Sequence, residues 1–211
     1  MGWANASYVG SVVEAIGSIR SGRRMIDVAQ QADDLSAEAV DALRRYSRSE
    51  FAGQEDGKAL NASLMAGSDF HEKWAEDLDE AFVWSFDRDI LLWRGFSSPP
   101  SDTASACFVS TSLVERQARR FKSRGGIGLA AIILSGGSRV AIPANVWSGA
   151  DDRTRGVVKR EAEIILPRGT SFELQDTIAP FKDRDPDNQT RLTIYKATTP
   201  ELASAFSPLS R

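Results

Sequence analysis

The sequence predicts an α+β domain with its helices gathered in the first part of the chain and its strands in the remainder. Three observations carry this expectation. From about Tyr8 to Phe86 the apolar residues recur at helical spacing. From Ile90 onward, short apolar runs alternate with Gly- and Pro-containing turns. Strands and helices do not alternate as they do in a doubly wound α/β protein, so the segregated class is expected. The 211 residues, 42% hydrophobic and 26% charged, suit one domain with a substantial core plus a helical extension. The expected division is an N-terminal helical extension over 1–35 and a main domain over 36–211.

The first helix is expected through Val9, Val12, Val13, Ile16 and Ile19, ending near Gly22 amid Arg20, Arg23 and Arg24. That basic cluster reads as a solvated face rather than a membrane or partner contact. A second helix is expected from Met25 to Gln31. Ser36 opens the next, with Ala39, Val40 and Leu43 on its core side. Asp69 with Glu72 reads as a cap for a helix whose stripe of Phe70, Trp74, Leu78, Ala81 and Phe82 faces the core. Strands are expected at Ile90–Trp93, Ala106–Thr111, Gly128–Leu134, Arg139–Pro143, Glu161–Leu166, Thr170–Leu174 and Arg191–Ala197. Between the second and third of these, Ser112 and Glu115 form a capping box, and Val114, Ala118 and Phe121 supply the buried stripe of a helix. The polar segment Lys182 to Asn188 reads as a surface loop.

Composition excludes several classes of function. The formal net charge of -3 argues against a nucleic-acid footprint over the whole surface. The single cysteine, Cys107, excludes an intramolecular disulfide and suits a reducing compartment. One His and one Cys leave no conventional zinc set, and His71-Glu72 is followed by no second His at zincin spacing. No apolar run is long enough to span a membrane, and no secretory signal pattern opens the chain. Met1-Gly2 is a near miss for myristoylation, because Ala6 stands where Ser or Thr is required. Gly125-Gly126 and Ser135-Gly136-Gly137-Ser138 match neither phosphate-loop pattern and read as turns.

Three segments carry chemistry. In Lys159-Arg160-Glu161-Ala162-Glu163-Ile164-Ile165-Leu166, the two glutamates at i and i+2 of a strand would project side by side. Like charges that close raise at least one pKa. Such a pair fits glycosyl transfer, where one carboxylate stabilises an oxocarbenium-like transition state and the other handles a proton. It fits a solvated strand end equally well. In Leu92-Trp93-Arg94-Gly95, the planar fork of Arg94 suits a phosphate and Gly95 permits close approach, although a lone Arg-Gly is more often a surface strand end. In Phe108-Val109-Ser110-Thr111-Ser112, Ser112 is explained by the helix cap. Ser110 has no local partner and could hold a neighbouring carboxylate in one rotamer.

In order and spacing, these three pieces resemble the mono-ADP-ribosyltransferases of the R-S-E class. The resemblance extends upstream to Tyr46-Ser47 and to Ala59-Leu60-Asn61-Ala62-Ser63-Leu64, and covers roughly residues 36 to 196. It implies a split antiparallel β-sandwich preceded by helices and built around an NAD cleft, with 36–211 as the catalytic domain. It implies NAD as co-substrate and no metal. Arg94 and Gly95 would bind the cofactor, with Arg94 on its phosphates. Glu163 would stabilise positive charge on the ribose, and Ser110 would fix the Glu163 rotamer. Thr111 and Ser112 would support the backbone near the nicotinamide as part of the cofactor site. Glu161 would orient an acceptor guanidinium, the Glu-x-Glu form being the one associated with arginine as acceptor. The absence of disulfides points to the bacterial toxin and effector branch. The implied protein is a monomeric virulence factor, secreted without a classical signal peptide and acting in the host cytosol on a target protein presenting an arginine, with no nucleic-acid partner. NAD hydrolysis, or protein binding by an inactive relative, is the alternative. One departure concerns the acceptor loop: Val158 stands where the family often has an aromatic residue, a job Trp147 could take from further back.

Overall fold

The computed structural model describes residues 26, 29–31, 33–47, 56–96, 104–122, 128–147, 161–182 and 189–201. The expected first helix, the basic cluster after it, Val158 and the segment 183–188 lie outside the described residues. The elements are β1 (Gln30–Gln31), α1 (Ala37–Tyr46), α2 (Gly57–Met65), a single 3-10 turn (Asp69–His71), α3 (Glu72–Asp79), β2 (Trp84–Ser85) and β3 (Ile90–Phe96). There follow β4 (Val109–Ser112), α4 (Glu115–Lys122), β5 (Gly128–Leu134), α5 (Pro143–Val146), β6 (Glu163–Leu166), β7 (Ser171–Lys182) and β8 (Gln189–Thr198). The α+β class expected from periodicity is thus the class observed.

Helix α1 starts where Ser36 places it: the serine side chain accepts from the Ala39 N–H at 3.0 Å, and Ala39, Ala42, Leu43 and Tyr46 face the core. Asp56 caps α2 in the same way. The cap of the next segment differs from expectation. Ser68, not Asp69, accepts the Phe70 N–H, and the 3-10 turn that results swings Phe70 outward to 75% exposure. The stripe of α3 therefore begins at Trp74 and continues through Leu78, Ala81 and Phe82, all buried. The expected second helix over Met25 to Gln31 is overturned at its end, where Gln30 and Gln31 pair with β2.

The expected strand Arg139–Pro143 contracts to single bridges at Val140 and Ala141, because Pro143 lacks an N–H and opens α5 instead. Ser112 does not cap α4 as a capping box. Its hydroxyl accepts the Val114 N–H at 3.0 Å, before the helix begins. Glu115 pairs with Arg119 one turn on, and Ala118 is buried as expected.

Six strands form one sheet in the order β6-β4-β3-β5-β8-β7. It is antiparallel except between β5 and β8, which run parallel. The parallel pair is possible because α5, β6 and β7 intervene and return the chain to the same end. The sheet is split. β3 joins β4 through the single registered pair Trp93↔Ser112, whereas β3 and β5 are in register over seven pairs. On one side of the split lie β4 and β6, extended by the bridges Ala141↔Ile165 and Trp84↔Val140 to β2 and β1. On the other lie β3, β5, β8 and β7. The main core fills the space under the helices, with Leu43, Leu60, Phe108, Ile132, Ile142 and Ile164 fully buried. A smaller cluster of Leu91, Ala131 and Ile194 lies apart from it. Truncating any of the fully buried leucines or isoleucines to alanine would cost about 2–5 kcal/mol.

Candidate active site

The split in the sheet is where the three chemical segments meet. Alternation along β3 puts Arg94 on the same face as Ile90 and Leu92, which belong to the main core. The Arg94 guanidinium reaches across the split and donates through Nη1 to the Ser110 carbonyl of β4. β4 then lies against β6 with Ser112 opposite Glu163 and Ser110 opposite Ile165. Ser110, Ser112 and Glu163 share one face of this pair, with Ser110 and Glu163 as diagonal neighbours.

The Ser110 hydroxyl favours the charged form of the Glu163 carboxyl as a hydrogen-bond donor, and Arg94 and Glu161 both act on it electrostatically. Burial is the largest influence and raises Glu163 well above the usual carboxylate range, to about 7. The negative charge of Glu161 adds to the rise, while the Ser110 hydrogen bond and the Arg94 charge oppose it. Burial also lowers the pKa of Arg94, and the Glu163 carboxylate opposes that fall. Burial raises the Cys107 thiol, and Arg94 opposes that rise.

The other two hydroxyls of the Ser-Thr-Ser run serve the backbone. Thr111 is buried and donates to the Ile164 carbonyl at 2.7 Å. Ser112 donates to the Glu161 carbonyl at 2.6 Å. Gly95 lies next to Arg94 on β3, opposite Leu129.

The two acids are not i and i+2 of one strand. β6 begins at Glu163, and the chain turns at Ala162, whose φ of 44° is in the left-handed region. An alanine there is strained. The turn is held by Ser112 Oγ on the Glu161 carbonyl and by the Leu113 N–H on the Ala162 carbonyl. Glu161 therefore approaches Glu163 from a turn, still close enough for its charge to matter.

Two residues of the segments upstream of β3 are central to the geometry. Tyr46, the last residue of α1, shares a hydrogen bond with the Ser110 hydroxyl at 3.2 Å and accepts one from Asn61 Nδ2 at 3.1 Å. Asn61 also clamps the residue that precedes β4, donating to the Phe108 carbonyl and accepting the Phe108 N–H, both at 3.1 Å. A tyrosine at a helix end gives no local sign of such a role. Trp147, by contrast, is tied to α1: its indole N–H donates to Ser47 at 3.2 Å, and the Arg44 guanidinium lies 5.7 Å from its ring. It packs on the main core and does not stand free to grip a partner.

The residues present fit an NAD phosphate group. Among the described residues, Arg94 uses one guanidinium nitrogen on Ser110 and makes no other hydrogen bond, leaving charged donors beside Glu163. No cluster of His, Cys, Asp and Glu suited to a metal ion is found among the described residues. No helix among them is long and apolar enough to cross a membrane.

No protein-family profile matches the chain, and no curated protein matches it in sequence. Solved structures do match. Plx2a, an ADP-ribosyltransferase toxin from Paenibacillus larvae, superposes with a TM-score of 0.56 at 12% identity, over 78% of this chain and 88% of that one. An ADP-ribosyltransferase from Clostridium botulinum gives 0.53 at 15% identity, over 77% and 87%. Exoenzyme S from Pseudomonas aeruginosa, solved with human 14-3-3 protein beta and carba-NAD, gives 0.52 at 14% identity, over 92% and 88%. The chain has the fold of these bacterial ADP-ribosyltransferase toxins.

Proposed function

We propose that this protein transfers ADP-ribose from NAD to an arginine side chain of a target protein and releases nicotinamide, as a bacterial effector or toxin acting on a host protein. The observation that carries the proposal is the constellation at the sheet split, where Arg94, Ser110 and Glu163 converge from three strands beside Glu161. The toxin fold gives it context.

The nicotinamide of NAD is a pyridinium and leaves without protonation, so the residues need not supply an acid. What they supply is charge. Glu163 would stabilise the positive charge that develops on the ribose as the bond breaks. Arg94 would hold a phosphate with the free part of its fork. Ser110 would keep the Glu163 carboxylate in one orientation. Glu161, set forward on its turn, would orient the acceptor guanidinium and take its proton as the new bond forms. The extent of the catalytic domain over 36–211, with 1–35 as an extension, belongs to the same proposal. So do secretion, action in the host cytosol and a monomeric state.

One observation favours NAD hydrolysis as a second reading. Trp147 is fastened to α1 and so is not offered to a protein acceptor. Incubation with labelled NAD and lysate of candidate host cells separates the readings. Label fixed on an arginine supports transfer, and free ADP-ribose alone supports hydrolysis. No turnover and no NAD binding would overturn both in favour of a protein-binding role.

A further inference from the structure

Tyr46 is buried, with its ring edge-on to Phe108 at 5.9 Å. Gly57 of α2 lies so close that a Cβ there would come within 2.9 Å of the ring. The phenol oxygen is thus held in place. Around it stand Ser110 Oγ at 3.2 Å, Asn61 Nδ2 at 3.1 Å and the Phe108 carbonyl at 3.4 Å. Ser110 is also the diagonal neighbour of Glu163 across β4 and β6, and as a donor it favours the charged carboxyl.

A serine hydroxyl carries one hydrogen, so Ser110 cannot donate to Tyr46 and to Glu163 at once. An ionised Glu163 only accepts, so it takes the Ser110 hydrogen. Ser110 Oγ then presents a lone pair to the phenol, and Tyr46 must donate. The phenol can turn because its other acceptor, the Phe108 carbonyl, is the longest of its contacts and already receives Asn61 Nδ2 at 3.1 Å.

We infer that Tyr46 is a positioning residue of the site, completing a directional hydrogen-bond chain from Asn61 through Tyr46 and Ser110 that orients and stabilises the Glu163 carboxylate. This rests on the proposed function in taking ionised Glu163 as the working form. The phenol keeps its hydrogen throughout the working range, since burial pushes it up to about 12. Four groups face Glu163: Glu161 from the turn before β6, Arg94 from β3, Ser110 from β4 and Tyr46 from α1. Of these, the Ser110 hydroxyl and the Arg94 charge favour the carboxylate, and Glu161 opposes it.

The test is Tyr46→Phe, which keeps the ring and removes the oxygen. The expected result is a kcat for NAD cleavage lower by roughly tenfold, the factor one net hydrogen bond is worth. KM for NAD should be unchanged, and the acid limb of the kcat profile should move to higher pH. In a Ser110→Ala background, Tyr46→Phe should have no further effect, because the chain is already cut. Carbon-13 NMR titration of the Glu163 carboxyl reads the same chain without any activity. The Glu163 pKa should rise in Tyr46→Phe, and at least as far in Ser110→Ala, which leaves the phenol in place. An unchanged Glu163 titration in Tyr46→Phe overturns the inference, as do a smaller rise in Ser110→Ala and additive losses in the double variant. A raised titration in a protein that never cleaves NAD upholds the chain and sinks the proposed function instead.

Discussion

Ser112 and Glu161 are joined by a 2.6 Å hydrogen bond from the serine hydroxyl to the glutamate carbonyl, so the strand that carries the hydroxyl run also fastens the turn that carries the first acid. The same oxygen accepts the Val114 N–H. Ser112→Ala removes both contacts. It should lower stability by about 1–2 kcal/mol, seen in a denaturant titration. It should also lower arginine transfer more than NAD hydrolysis, since the Glu161 turn is loosened. Ser110→Ala should instead lower both activities alike, because Ser110 acts on Glu163, which bond breaking needs whichever acceptor follows.

Glu163→Gln should abolish NAD cleavage and transfer by a hundredfold or more, the order expected for loss of a positioned electrostatic group. The same variant tests the burial of the carboxyl. Glu163 is raised to about 7 in the folded chain from an ordinary value of 4.5. Protonation therefore favours the fold, and that contribution is lost as pH rises through about 7. Glu163→Gln should match the wild type in Tm below about pH 4.5, exceed it increasingly up to about pH 7, and hold a constant lead above that. A Tm difference that does not vary with pH would show that the carboxyl is solvated.

Arg94→Lys keeps a charge but loses the fork that bonds Ser110 with one arm while leaving the rest for a ligand. NAD affinity, measured by titration calorimetry, should fall by about tenfold, the equivalent of one charge-assisted hydrogen bond. Equal affinities would place the phosphates elsewhere.

Glu161→Gln should lose transfer to arginine yet retain NAD cleavage by water. Glu161 stands on a turn ahead of β6, not on the strand with Glu163. Water needs no guanidinium placed beside it. The measurement compares nicotinamide released with label fixed on an arginine acceptor in one preparation. Loss of both activities together would mean that the two acids act as a unit. Full retention of transfer would remove the case for arginine.

Sequence by itself determined the class and much of the core. The helical spacing of Ala39, Leu43, Trp74 and Leu78, and the apolar runs of β3, β5 and β6, follow from periodicity, which local burial enforces. It also brought Arg94, Ser110, Glu161 and Glu163 forward as candidates, since each ends or begins an apolar segment where a charge or hydroxyl needs a reason. Only the tertiary structure decided the rest. That β5 and β8 pair in parallel depends on where the chain returns after α5, β6 and β7, which no local pattern encodes. That Glu161 sits off the strand depends on a left-handed φ at Ala162, held by bonds from Ser112 and Leu113 and not by any preference of alanine. That Phe70 faces outward depends on Ser68 taking the cap and tightening the turn. That Tyr46 and Asn61 reach Ser110 and Phe108 depends on helix-to-sheet packing across 64 and 47 residues of chain. Such contacts arise from the spatial meeting of distant segments, and spacing along the chain carries no trace of it.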